Sequence, residues 1–277
     1  MNLFTMPEVT ANYVKAGVKK LELPVYKMLL LGFLSGVLIA MSSTVSSTAA
    51  HSIESVGVIR LVTGLVFAFG LGMVIITSAE LFTGNCLLFI PALEKEIKWR
   101  GVFRNWIFVY LANFAGAAAV AACCALFGQL NYSNDGLAVY TIRLAAAKCS
   151  IAPGSAVVFG FWCNFLVCLG VFLANAAQDI PGKVIGAYMP VAYFVTNGFE
   201  HSVANMYYGP AGIFAAGVPR YLEKAAAAGV DTSPVTWGGF IVKNLIPVSL
   251  GNILGGFCFS FIIWACFLHD FKGTKKS

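Results

Sequence analysis

Six long apolar stretches divide the chain, at residues 26–49, 57–90, 104–128, 153–177, 184–217 and 244–268. Each reaches the roughly 20 residues that a helix needs to cross about 30 Å of hydrocarbon. The pattern predicts an all-α polytopic membrane protein, one transmembrane domain over 1–277 with six transmembrane helices. The second and fifth stretches are too long for a simple span. Both carry polar interruptions, Glu80-Leu-Phe-Thr-Gly-Asn85 in one and Glu200-His-Ser-Val-Ala-Asn205 in the other. Backbone leaves a helix at membrane depth only where protein or a water-filled cavity satisfies its polar groups. Broken second and fifth helices, with their breaks near 81–85 and 197–205 lining a cavity, are therefore expected. The short apolar pieces after the breaks, Cys86–Ile90 and Met206–Ala216, are expected to aim free N–H groups and a positive dipole end at that cavity, a field that favours an anion. Ahead of the first span, Val14, Val18 and Leu21 fall near helical spacing beside Lys15, Lys19 and Lys20. Residues 7–23 thus read as a cytoplasmic helix at the membrane surface.

The two halves of the chain echo each other. Both polar interruptions are Glu-x4-Asn, and each lies in the middle stretch of its triplet. Residues 105–116 read NWIFVYLANFAG and residues 244–255 read NLIPVSLGNILG, sharing Asn-x-Ile-x-Val-x-Leu-x-Asn-x-x-Gly. Gly32-Phe33 and Gly160-Phe161 lie early in the first spans of each half. A unit of three spans, repeated, re-enters from the opposite side. The reading is therefore an inverted repeat, 26–128 against 153–268, with a path near the midplane where the middle helices break.

Composition removes the soluble alternatives. Apolar residues make up 59% of the chain and charged residues 11%, with a mean hydropathy of +0.81, whereas soluble domains carry roughly 25% charged residues. The first 27 residues lack a short apolar core followed by a small-residue cleavage site, so the first stretch reads as a span and not a removed leader. The net charge of +6 reads as orientation and not as a nucleic-acid surface. With both termini on one side, that side holds Lys15, Lys19, Lys20, Lys27, Lys95, Lys98, Arg100, Arg104, Lys183, Lys272, Lys275 and Lys276. The other holds Arg60, Arg143, Lys148, Arg220, Lys224 and Lys243. The excess places both termini in the cytoplasm, in a multi-pass protein of the plasma membrane. The eight cysteines and three histidines show no metal-ligand spacing, so neither metal nor cofactor is expected. The cysteines read as small packing residues.

Ionisable groups at membrane depth point to function. His201 is the leading candidate, since it can hydrogen-bond an anion in transit or donate a proton to it. Thr83, at the matching break, can donate to an anion or accept from His201. Glu80 and Glu200 are assigned to holding the loops by accepting from the broken backbone, with Asn85 and Asn205 beside them. Asn113 and Asn252 are assigned to interhelical hydrogen bonds. Lys148, shortly before the fourth span, would raise the local anion concentration at a vestibule mouth.

GFEHSVANM at 198–206, ELFTGN at 80–85 and NLIPVSLGN at 244–252 resemble the formate/nitrite transporter family. The similarity extends over about residues 7–268. It implies an aquaporin-like protomer in a homopentamer, with one pore per protomer. It implies that His201 is the central pore histidine, Thr83 the threonine of the loop interrupting the second span, and Asn164 and Lys148 the pore-region asparagine and lysine. Leu81 and Phe82 flank that threonine. Phe67, Leu71, Val167 and Phe194 correspond to the constrictions. The resemblance also makes residues 7–23 a candidate gate. The expected function is a channel or proton-linked facilitator for small monovalent anions, with formate preferred. Gly84-Asn85 after Thr83 departs from the Ser-Thr of the enterobacterial formate channel, and leaves nitrite and hydrosulfide open. A neutral-solute pore would use paired Asn-Pro-Ala loops, which are absent. A membrane enzyme would need a nucleophile with its base, or a metal set, and neither is present in the sequence.

Overall fold

The computed structural model describes residues 3–269; Lys272, Lys275 and Lys276, counted above for orientation, lie outside them. The described chain is helical: α1 (Met6–Glu22), α2 (Val25–Ala50), α3 (Val56–Phe67), α4 (Phe69–Ile76), α5 (Phe89–Leu93), α6 (Trp99–Leu126), α7 (Tyr132–Cys149), α8 (Pro153–Ala176), α9 (Ile180–Asn197), α10 (Ser202–Ala216), α11 (Pro219–Ala227) and α12 (Ile246–Phe267). The extended backbone among the described residues is one isolated bridge, Leu3 to Ala177. Five helical stretches are long and apolar enough to cross a membrane: α2, α3 with α4, α6, α8, and a π-helical turn (Gly239–Leu245) running into α12. The fifth apolar stretch is split between α9 and α10. Large apolar side chains, among them Leu61, Ile107, Leu111 and Leu250, are exposed, as expected of a surface whose solvent is hydrocarbon.

Two helix pairs form the frame, α2 with α6 and α8 with α12. Both close on small residues. A Cβ at Gly36 would strike the Asn113 backbone, and a Cβ at Gly251 would strike the Val157 carbonyl. These glycines let the helix backbones meet.

The boundaries correct the sequence reading in several places. The second stretch stops being a regular helix at Ile76, ahead of the expected break. A loop follows, then a 3-10 turn (Gly84–Leu88) and α5. The break in the fifth stretch is shorter than expected, residues 198–201, so Asn205 lies within α10. Apolar periodicity gave no warning of α7, because its first residues, Ser133, Asn134 and Asp135, have left-handed backbones. Asp135 there pairs with Arg220 (3.1 Å) and Lys224 (2.7 Å), which ties α11 to α7.

α1 is not a lead-in lying free on the surface. Its start is fixed by Glu8, whose carboxylate accepts from the Thr5 N–H (2.7 Å) and hydroxyl (2.8 Å), a capping arrangement. The same two bonds hold the Glu8 carboxyl below its ordinary pKa. Val9, Thr10, Tyr13 and Gly17 are buried, with Gly17 against Pro91 of α5. Arg104 of α6 donates to the carbonyls of Leu21 and Leu23 (3.4 Å each).

Candidate functional site

Each broken segment ends its first helix in the same way. Ser78 (φ 53°) and Gly198 (φ 75°) take left-handed conformations. Ser78 N–H donates to Ile75 and Ala79 N–H to Val74; Gly198 N–H donates to Val195 and Phe199 N–H to Phe194. This pairing closes the last turn of a helix. The chain then crosses to a neighbouring span, where Glu80 N–H meets the Leu31 carbonyl (3.2 Å) and Glu200 N–H the Phe159 carbonyl (3.3 Å).

Asn113 and Asn252 hold the loops from the facing helices. Asn113 Nδ2 donates to the Gly32 carbonyl (2.8 Å) and Glu80 carbonyl (2.9 Å), and its Oδ1 accepts from Phe82 N–H (2.9 Å). Asn252 Nδ2 donates to the Gly160 carbonyl (2.8 Å) and Glu200 carbonyl (3.0 Å), and its Oδ1 accepts from Ser202 N–H (2.9 Å). Those of these groups that belong to the loops are backbone donors and acceptors that apolar surroundings would otherwise leave unpaired, whereas the Gly32 and Gly160 carbonyls lie within α2 and α8.

The two carboxylates are bound by side chains, and not by loop N–H groups as their position suggested. Glu80 accepts from Lys20 of α1, from Asn85 Nδ2 (2.7 Å) and from Asn105 Nδ2 (3.3 Å). Glu200 accepts from Lys148 of α7 with both oxygens (3.0 and 2.9 Å), from Asn205 Nδ2 (2.6 Å) and from Asn244 Nδ2 (3.3 Å). Asn85 and Asn205 donate onward to Asn105 (2.9 Å) and Asn244 (2.7 Å). Asn105 and Asn244 carry no role in the sequence reading, and Lys20 only that of a charge that orients the chain. The signal was present, since Asn105 and Asn244 open the shared Asn-x-Ile frame. Lys20 and Lys148 each stand five residues before the first residue of the helix that follows.

Between the carboxylates lies the closest approach of the two loops. His201 Nε2 is 2.8 Å from Thr83 Oγ1, both side chains buried. His201 is the N-cap of α10, and its Nδ1 accepts from Ala204 N–H (3.1 Å). That bond fixes the neutral tautomer: the ring proton sits on Nε2 and is offered to Thr83. Two of the N–H groups that open α10 are therefore spoken for, Ser202 by Asn252 and Ala204 by His201. The expected cluster of free N–H groups is thereby reduced there, and the imidazole adds its own N–H as a side-chain donor.

Two cavities flank this contact. The larger, about 790 Å³, is lined by Leu71, Leu81, Lys19, Lys20, Lys183 and Glu80, and by Phe4 and Tyr13 of the N-terminal segment. The smaller, about 390 Å³, is lined by Phe67, Phe194, His201, Lys148, Glu200 and Arg60. Phe67 and Phe194 meet edge to face at 6.2 Å, and the Phe194 ring lies 5.8 Å from the imidazole. Both cavities carry an excess of positive side chains, which concentrates anions.

Of the remaining candidates, Phe82 is buried beside Thr83. Its ring packs on Trp106 and Tyr110, and it lines neither cavity. Val167 and Asn164 are buried on α8, the helix whose Cys168 thiol donates to the Thr83 carbonyl (3.8 Å), and they are not among the residues lining the two cavities. Asn164 Nδ2 donates to the Asn252 carbonyl (2.6 Å), and its Oδ1 has no partner in the protein. Lys148 does line the smaller cavity, but as the partner of a buried carboxylate and not as a free charge. No group of three or more metal-ligating side chains forms among the described residues.

The sequence model described as "Formate/nitrite transporter" matches residues 7–266. The chain belongs to the formate/nitrite transporter family. A probable formate transporter of Methanothermobacter thermautotrophicus is 36% identical, over 96% of this chain and 98% of its own length. The formate channel FocA of Escherichia coli K12 is 31% identical over 92% of each. A solved pentameric formate channel with formate bound superposes with a TM-score of 0.77 at 32% identity, covering 88% of this chain and 98% of that one. For this family member the relatives are transporters and channels, in line with a transmembrane transport protein.

Proposed function

We propose that the protein is a pore for small monovalent anions, formate foremost, with nitrite and hydrosulfide as the alternatives within the family. In this reading, two inverted three-helix halves, with α3 to α5, broken after α4, and α9 to α10, broken after α9, as the middle spans, enclose one pore per protomer of a homopentamer. Both termini face the cytoplasm of a cell's plasma membrane, and the larger cavity is the cytoplasmic vestibule.

The observation that carries the reading is the Thr83–His201 contact set between two positively charged cavities. An anion entering either cavity passes an apolar throat, Phe67 and Phe194 on one side and Leu71 and Leu81 on the other. At the centre the Nε2–H now donated to Thr83 is available to the anion, and the freed hydroxyl is a second donor. A small oxyanion fits such a pair. A hydrated cation meets no acceptor to replace its water, and larger acids do not clear the aromatic throat. The names of the relatives, formate transporters and channels among them, favour formate.

The test is flux of formate, nitrite and hydrosulfide in proteoliposomes, wild type beside His201→Asn. Rapid formate flux that the substitution lowers at least tenfold, in pentamers of unchanged mass, is the expected result. Equal flux in the two proteins removes the histidine from the mechanism, and absence of any anion flux in wild type removes the anion reading.

A further inference from the structure

Lys148 cannot supply the positive field of the smaller cavity, because Glu200 neutralises it at 2.9 Å. Among the charged residues lining that cavity, Arg60 alone is left over. It stands on the first turns of α3, on the side of the protein away from α1. Its guanidinium lies over Gly198, so close that a Cβ there would fall 2.6 Å from Nη1. Among the described residues it makes no ion pair, and its guanidinium donates no hydrogen bond. Tyr140 and Tyr208 line the same space, as neutral hydroxyls. The guanidinium is held at the C-terminal end of α9, where the helix dipole favours a cation, with its donors unspent.

We propose that Arg60 is the docking residue for planar oxyanions at the mouth of the smaller cavity, and that it biases entry from that side toward such anions. The inference rests on the anion-pore reading above. A guanidinium presents paired N–H donors in a rigid plane that matches the two oxygens of a carboxylate or of nitrite, whereas an ammonium is a point charge. From Arg60 the anion has Phe67, Phe194 and then His201 ahead of it in one continuous cavity lining. Gly198 is thereby required twice, for its positive φ and for the space the guanidinium occupies.

The experiment measures formate entry into right-side-out and inside-out vesicles as a function of concentration, for wild type, Arg60→Gln and Arg60→Lys, with thiocyanate as a linear competitor. Arg60→Gln is expected to raise the half-saturating formate concentration about threefold to tenfold in one vesicle orientation only, at unchanged maximal rate, as removal of a steering rim charge does. Arg60→Lys is expected to keep inhibition by thiocyanate near the wild-type level while formate half-saturation stays raised. Active wild type with unchanged half-saturation in Arg60→Gln overturns the role of Arg60 and leaves the pore reading standing. Full recovery of formate in Arg60→Lys overturns the planar-fork argument. If Arg60→Gln does not assemble, the ratio of formate to thiocyanate effects in Arg60→Lys decides alone. Wild type that carries no formate overturns both readings together.

Discussion

In the first broken segment the buried carboxylate, Glu80, meets a lysine that arrives on α1, ahead of the first span. In the second, Glu200 meets a lysine on α7, which is held by chain at both ends and packed against α10. The bonds inside the two loops correspond group by group: helix closure at Ser78 and Gly198, the Asn113 and Asn252 clamps, the Asn85–Asn105 and Asn205–Asn244 pairs. What differs is the lock. Lys20 is 26% exposed and Lys148 12%. Lys20 also donates to Asn85 Oδ1 (3.1 Å), whereas Asn205 Oδ1 has no partner in the protein. The same loop is thus built twice from different chain segments, the second with the drier lysine but the more exposed carboxylate (11% for Glu200 against 3% for Glu80), and with more dependence on a single cation.

That difference sets the largest expected effect. Lys148→Met leaves the Glu200 carboxylate buried with only amide donors. Breaking a buried pair from one side costs about 3–5 kcal/mol, so the variant should assemble poorly or unfold far earlier in an SDS titration of the purified protein. Lys20→Met should lose less, because water reaches the lysine end of that pair and can enter the space the ammonium leaves. Adding Glu200→Gln to Lys148→Met should recover much of the loss. Equal losses from the two lysines, or no rescue by the double substitution, would show that the two locks do not differ as their burial says.

Much of this architecture was legible in the residues, for stated reasons. A 59% apolar chain with uninterrupted runs leaves no other solvent than lipid, and Glu-x4-Asn inside such a run marks a break because a regular helix would leave the carboxylate unpaired. The Asn of the shared frame identified Asn113 and Asn252 as bond-makers between helices. Other features depend on three-dimensional proximity that spacing does not encode. The partners of Glu80 and Glu200 come from 60 and 52 residues upstream. The side on which Phe82 faces is decided by Trp106 and Tyr110. The start of α7 is hidden because three successive left-handed residues carry no apolar period. Arg60 reads as an interfacial cation until Gly198 is placed beneath it.

The next effect down tests whether the loop clamps are equal where the locks are not. Asn113→Ala and Asn252→Ala each orphan one backbone N–H and one loop carbonyl in a dry setting. With about 1–3 kcal/mol for each such group and partial relaxation, losses of about 2–4 kcal/mol are expected for both, matched to within about 1 kcal/mol. Thermal unfolding in detergent measures it. A mild Asn113→Ala beside a severe Asn252→Ala would mean that α1 and Lys20 carry the first loop without the clamp.

The smallest effect separates the two helix closures, and here the sign changes. Ser78 and Gly198 hold similar left-handed conformations (φ 53° and 75°), yet only one is glycine. A side chain in this region costs about 1 kcal/mol relative to glycine. Ser78→Gly relieves that strain but loosens the unfolded chain, so a gain of about 0.5 kcal/mol in stability is expected, a rise of a degree or two in the melting temperature. Gly198→Ala adds the strain and also drives a methyl against Arg60, so a loss of about 1–2 kcal/mol is expected. Coupling Gly198→Ala with Arg60→Ala divides that loss: the part recovered is the contact, the part remaining is the backbone. If Ser78→Gly destabilises instead, the serine is held left-handed by its surroundings, and the first closure has a use for a side chain that the second does not.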